Sequence, residues 1–295
     1  MITVIDLNFL GVEKAIAAFL VKTSEGPILI ETGPHSVLPQ LEKAIRKEGF
    51  ELADIKKVFL THIHLDHAGA AWYFAELGAE IYLHPFGVRH MNAPAKLMES
   101  ARRIYKDDMD RLWGEMKEIP MEQLKATEHE AEIQSGDTII KAWHTPGHAV
   151  HHIAWQIGEV LFTGDVAGVR INQQMPVPPC PPPDINIEDW KSSIQLIKDM
   201  EVRQLYLTHF GLVEDIESHL NQLEVYLDDW ANWMKPRFEN GEDPKEITPI
   251  FQEYVRHQLL ENGVNPADLD KYEAANPTWM SVAGLMRYWK KRLES

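Results

Sequence analysis

Cysteine is almost missing from this 295-residue chain: Cys180 is the only one. That excludes an internal disulfide framework and a thiolate-cage zinc site, so any metal must rest on imidazole and carboxylate. Long apolar runs are missing as well. No stretch approaches the ~20 residues needed to span a bilayer, and no membrane contact is expected. The opening MITVIDLNFL lacks a basic region followed by an extended apolar run. No secretory signal is therefore expected, and a cytoplasmic location is. Dense basic clusters are absent too. The formal charge is −16, from 45 acids against 29 bases, and RRIYK at 102–106 and KKRLE at 290–294 are short enough to be solvated helix faces. A nucleic-acid partner, which needs a basic footprint, is not expected. The length does allow a large core, as one α/β domain or as a core with an appended smaller unit.

What the chain does have is concentrated at residues 61–67, Thr-His-Ile-His-Leu-Asp-His. In an extended segment His62 and His64 point to one side, Asp66 extends that row, and His67 turns the other way. Donors aimed in two directions suit two adjacent cations rather than one. Imidazole and carboxylate together fit zinc, manganese or ferrous iron.

The surrounding pattern is α/β. Branched apolar runs at 2–7, 15–21 and 27–32 read as strands, and Leu38, Leu41 and Ile45 mark one face of a helix over 36–48. KVFLTH at 57–62 is a buried-strand pattern that delivers His62 at its carboxyl end; a helix and a strand at 80–84 follow. Residues 86–130 carry five of the eleven methionines and no strand signal, which predicts a helical insertion. Strand patterns return at 138–145, 152–157 and 160–165. PVPPCPPPD, within a Pro-rich loop over 171–186, predicts a stiff, extended surface segment. Asp184 or Asn186 is placed to cap a helix over 187–199, and RQLYLTH at 203–209 is a further strand. Residues 211–295 read as a helical extension. Its stripe of Ile216, Leu220, Leu223, Leu227, Trp230 and Met234, expected to be interrupted by Pro236 and the EDPKE turn at 242–246, serves packing or a homodimer contact.

Three more potential ligands, His148, Asp165 and His209, each follow an apolar β-type run and precede a breaker or loop. Such repetition implies several loops meeting at one edge of a sheet. With THIHLDH at 61–67, TPGH at 145–148, FTGD at 162–165 and LTHF at 207–210 in that order, the chain resembles the metallo-β-lactamase-fold superfamily, nearest in style to its glyoxalase II-like and lactonase-like hydrolases. The motifs bracket about residues 1–210. The resemblance implies an αββα sandwich with metals at one edge of the paired sheets. It assigns His62, His64 and His148 to one metal and Asp66, His67 and His209 to a second, with Asp165 bridging. A shared carboxylate offsets the repulsion of two dications roughly 3.5–4 Å apart, and a metal-bound water, with its pKa lowered to about 7, becomes a hydroxide nucleophile. Asp66 and Asp165 are then the catalytic carboxylates, and no Ser or Cys nucleophile is needed.

Secondary candidates are His35, in a loop the family places near the metals, and His151 and His152 after the His148 turn. Where Glu31 stands the family commonly has Asp, a departure that bears on a supporting hydrogen bond and not on metal binding itself. Cys180 is expected to be inert, and Phe210 and Trp143 to belong to core or pocket. AGVRINQQMPVPPCPPPD replaces the aromatic- and His-containing glutathione signature of true glyoxalase II enzymes, so glutathione thioesters are not implied. The expectation is a hydrolase with two divalent ions, zinc first with iron or manganese as alternatives, acting on a small ester, lactone or thioester. The alternatives are a mononuclear-iron persulfide dioxygenase and a non-enzymatic metal-binding scaffold.

Overall fold

Alternation of apolar side chains along the strands divides them between two interiors and so dictates a layered molecule. The computed structural model describes residues 1–294. The first sheet runs in chain order: β1 (Ile2–Asp6), β2 (Ala17–Thr23), β3 (Gly26–Ile30), β4 (Lys57–Phe59), β5 (Glu80–Leu83) and β6 (Leu124–Ala126). Pairing is antiparallel through β3 and parallel from β3 to β6. Its helices are α1 (Leu38–Lys47), α2 (Leu65–Ala68), α3 (Ala71–Glu76), α4 (Pro85–Asn92), α5 (Ala95–Tyr105) and α6 (Met109–Leu112). The second sheet comprises β7 (Glu132–Ser135), β8 (Thr138–His144), β9 (Ile153–Ile157), β10 (Val160–Gly164), β11 (Gln204–Leu207) and β12 (Gly211–Val213), again in chain order across the sheet. Only β10 and β11 are parallel, and α7 (Ile187–Lys198) connects them. The chain then runs through α8 (Ile216–Glu239), α9 (Pro244–Glu261), α10 (Leu269–Ala275) and α11 (Thr278–Glu294).

Three cores result. Phe19, Ile28, Ile30, Phe59, Ile140, Trp155 and Phe162 fill the space between the sheets. Edge-to-face and tilted rings lock this layer, with Phe59 to Trp155 at 5.1 Å and Phe19 to Phe162 at 5.2 Å. The alternate residues Leu20, Leu29 and Val58 face α1 and α3 on one outer side. Ala154, Leu161, Leu205 and Leu207 face α7 to α11 on the other. This is the expected αββα sandwich.

Several local expectations are corrected. Residues 86–130 do contain α4 to α6, yet Leu124–Ala126 is a strand, β6, that pairs in parallel with β5. Three residues with one buried side chain are too short to show an alternating pattern in sequence. β12 likewise continues the second sheet past residue 210. The Pro-rich segment is not a surface loop: Met175, Val177 and Cys180 are buried, because α10 and α11 lie over it. Pro236 does not interrupt α8, which runs on to Glu239; the break before α9 falls at the EDPKE turn. Asn186 caps α7, its side chain accepting from the Asp189 N–H at 3.2 Å. Except for half-buried Ile216, the α8 stripe is buried against the second sheet and the last helices.

One buried histidine ties α8 to the loop after β10. His219 Nε2 donates to the Ala167 carbonyl at 2.7 Å, and burial pushes the imidazole down to about 4. An unfolded histidine titrates near 6.5. Because the folded value is depressed, this group's contribution is intact above about pH 6.5 and lost as pH falls toward 4, amounting to about 3 kcal/mol. In metal-free protein, His219→Gln should therefore be less stable than wild type at pH 8, with the gap narrowing or reversing at pH 5. Thermal melts at both pH values check this.

Candidate metal centre

Parallel strand pairs end at the same edge of their sheets, which brings the sequence motifs together. β4 leads into His62 and His64, and β10 leads into Asp165. His209 follows β11, and His148 follows β8 through the Thr145-Pro146-Gly147 turn. The sheets are stitched together just beneath this edge. The Ile153 N–H donates to the Thr61 carbonyl at 2.7 Å, and the Ala17 N–H to the Thr208 carbonyl at 2.8 Å. Gly164, at φ +50°, makes the last turn before Asp165; a Cβ there would lie 2.5 Å from Thr61 Oγ1 and 2.7 Å from His152 Nε2. Asp66 does not continue an extended row from His64, as the spacing suggested. It sits with His67 on the single turn α2, with His64 as N-cap.

The donors form two lobes. His62 Nε2 and His148 Nε2 lie 2.9 and 3.0 Å from His64 Nδ1. In the second lobe Asp66 Oδ2 is 3.6 Å from His67 Nε2 and 3.5 Å from His209 Nε2. Asp165 stands between them. Its Oδ1 is 3.2 Å from His67 Nε2 and 3.3 Å from His209 Nε2, and its Oδ2 is 3.3 Å from His148 Nε2. Within each of the groups His62–His64–His148, His62–His67–Asp165 and Asp66–His67–His209, the ligand atoms lie within 4.8 Å of one another. All seven residues named from the motifs are thus brought to one place.

The opposite face of nearly every imidazole is anchored. His148 Nδ1 meets the Pro179 carbonyl at 2.9 Å, His209 Nδ1 the Ala15 carbonyl at 2.7 Å, and His67 Nδ1 Glu31 Oε1 at 3.1 Å. Thr61 Oγ1 donates to the same Glu31 oxygen and lies 3.0 Å from His62 Nδ1. These acceptors place the proton on Nδ1 of His67, His148 and His209, and so turn the Nε2 lone pair inward. Glu31 therefore supplies the supporting hydrogen bond for which the family commonly has Asp.

Charge and hydrogen bonding test whether cations fit. His67 Nε2, His209 Nε2 and Asp165 Oδ1 are buried and have no hydrogen-bond partner among the described residues. Stranded buried polar atoms are costly unless something meets them. Burial, then the neighbouring imidazoles, holds His62 and His64 well below the usual histidine value. His148 is also lowered, by burial. These three are neutral donors. Burial acts in the same sense on His67 and His209, but Asp165 and Asp66 outweigh it and hold both up. Burial opposes ionisation of the carboxyls, yet the imidazoles bring Asp66 down to about 2 and Asp165 well below its usual range. The second lobe thus demands positive charge, and an N/O donor set of this kind suits a divalent ion.

The remaining candidates separate. His152 is buried behind Asp165, whose N–H donates to its Nε2 at 3.2 Å, while its Nδ1 meets Thr145 Oγ1 at 2.8 Å. It holds the backbone at Asp165. His151 is buried with its ring 5.8 Å from that of His64, and burial lowers it to about 3. His35 belongs to none of the donor groups: Nδ1 accepts from the Glu115 N–H at 3.2 Å and the ring packs on Trp72. Cys180 is buried, and its thiol is pushed up by that burial. Trp143 bonds Gln156 Oε1 at 2.7 Å beneath Lys141, and Phe210 packs on core clusters. The motifs gave no sign of Tyr105 in α5 or Trp279 and Met280 in α11. Tyr105 packs on Trp113 at 5.0 Å and Trp279 at 5.9 Å, and its hydroxyl lies 4.0 Å from Met280 Sδ. Burial, then the Asp66 carboxylate, raises its phenol.

A sequence model of the metallo-beta-lactamase superfamily matches residues 12–209. A metallo-beta-lactamase fold-containing protein of Sulfurisphaera tokodaii is 28% identical over 172 residues, covering 56% of this chain. The match spans 65% of that relative, just under two thirds of its length. An N-acyl homoserine lactonase of a Bacillus species is 26% identical over 229 residues, 68% of this chain and 80% of the lactonase. Among solved structures, a metallo-beta-lactamase family protein of Thermus thermophilus shares the fold with a TM-score of 0.69 at 17% identity. That likeness covers 99% of this chain and 93% of the other. A subclass B3 metallo-beta-lactamase of Bradyrhizobium japonicum gives 0.56 at 21% identity, over 72% and 86% respectively.

Removing the Glu31 anchor should loosen the site without unfolding the chain. Glu31→Ala should weaken zinc binding about 10- to 100-fold, the usual effect of losing a group that orients a ligand. Chelator competition against wild type measures it.

Proposed function

The chain belongs to the metallo-beta-lactamase superfamily, and on that premise we propose that it is a metal-dependent hydrolase of a small ester, lactone or thioester, working with two divalent ions. His62, His64 and His148 would hold one ion and Asp66, His67 and His209 the other, with Asp165 reaching both. The observation that carries this reading is the placement of Asp165, one oxygen toward each lobe. When bound, such ions lower the pKa of a water and withdraw electrons from a substrate carbonyl.

The chain's own residues have distinct tasks. Asp165, its backbone fixed by His152, is kept ionised by His67, His148 and His209 and balances positive charge between the lobes. Asp66 and His64 are the only half-exposed members of the set, so the centre opens on their side. Asp66, ionised at neutral pH, is placed to take a proton there and pass it to a leaving group. Tyr105, its phenol raised by burial and then by the Asp66 carboxylate, keeps its proton at working pH. Trp113, Trp279 and Met280 around it give an apolar wall for the acyl part of a substrate. Similarity to N-acyl homoserine lactonases of Bacillus favours a lactone or ester over a phosphodiester, as does the net negative charge.

Purified protein loaded with zinc or manganese and offered lactones, carboxylic esters, thioesters and phosphodiesters tests the reading. Turnover of the carbonyl substrates with two ions per chain is expected. One iron per chain with oxygen uptake would point instead to the sulfur dioxygenase reading. His62→Ala should lower metal content and abolish hydrolysis, and full activity at unchanged stoichiometry would sink the assignment. Asp165→Asn should weaken both ions together, since a neutral amide offsets their repulsion less; metal analysis after dialysis decides.

A further inference from the structure

The Pro-rich segment has one backbone donor in six residues. Pro178, Pro179, Pro181, Pro182 and Pro183 have no N–H, leaving that of Cys180. Such a strap cannot join a sheet ladder, and its position must be set from outside. It nevertheless carries the Pro179 carbonyl that accepts from His148 Nδ1 at 2.9 Å. Both neighbours of Pro179 are fixed by the last two helices. Asn276, at the end of α10, donates from Nδ2 to the Pro178 carbonyl at 3.3 Å. The Cys180 N–H donates to Ser281 Oγ in α11 at 3.3 Å, and Ser281 Oγ donates onward to Asn276 Oδ1 at 3.2 Å. Arg287 and Lys291 of α11 bond the Pro183 carbonyl at 3.1 and 2.7 Å.

Contact at the middle of the strap is closer still. A Cβ built on Gly284 would lie 1.9 Å from the Cys180 carbonyl oxygen and 2.8 Å from its carbon, so α11 can approach the strap only because residue 284 has no side chain. The obstacle is backbone on both sides, and no rotamer relieves it. A side chain at 284 would push the strap, and the Pro179 carbonyl with it.

We propose that Gly284, Ser281 and Asn276 are positioning residues for His148, acting through the Pro-rich strap, so that the helices beyond residue 210 complete the three-histidine lobe. This rests on the reading of His148 as a metal ligand. The helices touch none of the ligands named above by hydrogen bond; they set the carbonyl that fixes the tautomer and aim of one of them.

The test is zinc retention by the full-length chain against a chelator, with His148→Ala and His209→Ala as references for loss from each lobe. Gly284→Ala and Ser281→Ala should weaken the ion that His148→Ala loses, by about 10- to 100-fold for the first and about tenfold for the second. The ion lost in His209→Ala should stay. Ile247→Ala, a cavity in α9, should lower the melting temperature and leave both affinities unchanged. The proposal is overturned if the strap variants lose stability with wild-type zinc affinity, if they release the His209 ion instead, or if Ile247→Ala weakens the same ion. Should Gly284→Ala fail to fold, Ser281→Ala decides alone. Zinc binding is read directly, so a wild-type chain that binds zinc and hydrolyses nothing ends the hydrolase reading and leaves this one standing. A wild-type chain that takes up no ion ends both.

Discussion

The carboxylate of Asp165 sits buried amid imidazoles from three other loops, and the rest of the structure is arranged to make that tolerable. Burying an ionised carboxyl is expensive unless it is paired and hydrogen-bonded. Here the balancing groups are His67, His148 and His209, each within 3.3 Å. None comes from the same strand end as Asp165, so the balance exists only when both sheets are in place.

Support for these imidazoles spreads outward in layers. Glu31, Thr61, Ala15 and Pro179 hold the far sides of these rings. Behind His209, the Arg170 N–H donates to its carbonyl at 2.6 Å. The Arg170 guanidinium forks onto Asp215 at 2.6 and 3.0 Å, drawing the Asp215 carboxyl below its usual value. The loop after Asp165 is thereby pinned to the start of α8, and His219 pins the same loop from the next turn. Rigid support of this kind keeps donors aimed inward against their mutual repulsion.

Much of this was legible in the chain. Branched apolar runs ending in His or Asp identified the strand ends, because a strand's alternation and its abrupt breaker are both local. The donor set was legible for the same reason: a His-x-His-x-Asp-His run has few structural excuses. Other features were hidden. β6 and β12 are each three residues long, and their pairing is decided by neighbours. The prolines correctly excluded a helix or central strand over 178–183. Their burial depended on α10 and α11, which lie about a hundred residues further along. Tyr105 and Trp279 meet from α5 and α11, a contact with no signature in either segment.

By itself, then, the sequence determined the kind of chemistry and its address: nitrogen and oxygen donors at the carboxyl ends of α/β strands, with no thiolate to share the task. Periodicity and residue type settle these matters, and both act over a few positions. The family resemblance implied how the donors divide, but tertiary structure alone decided which oxygen of Asp165 faces each lobe. It also decided which carbonyl fixes each imidazole, and that the last helices reach His148 through a strap of prolines. Those are questions of distance between segments far apart in the chain, and only packing sets such distances.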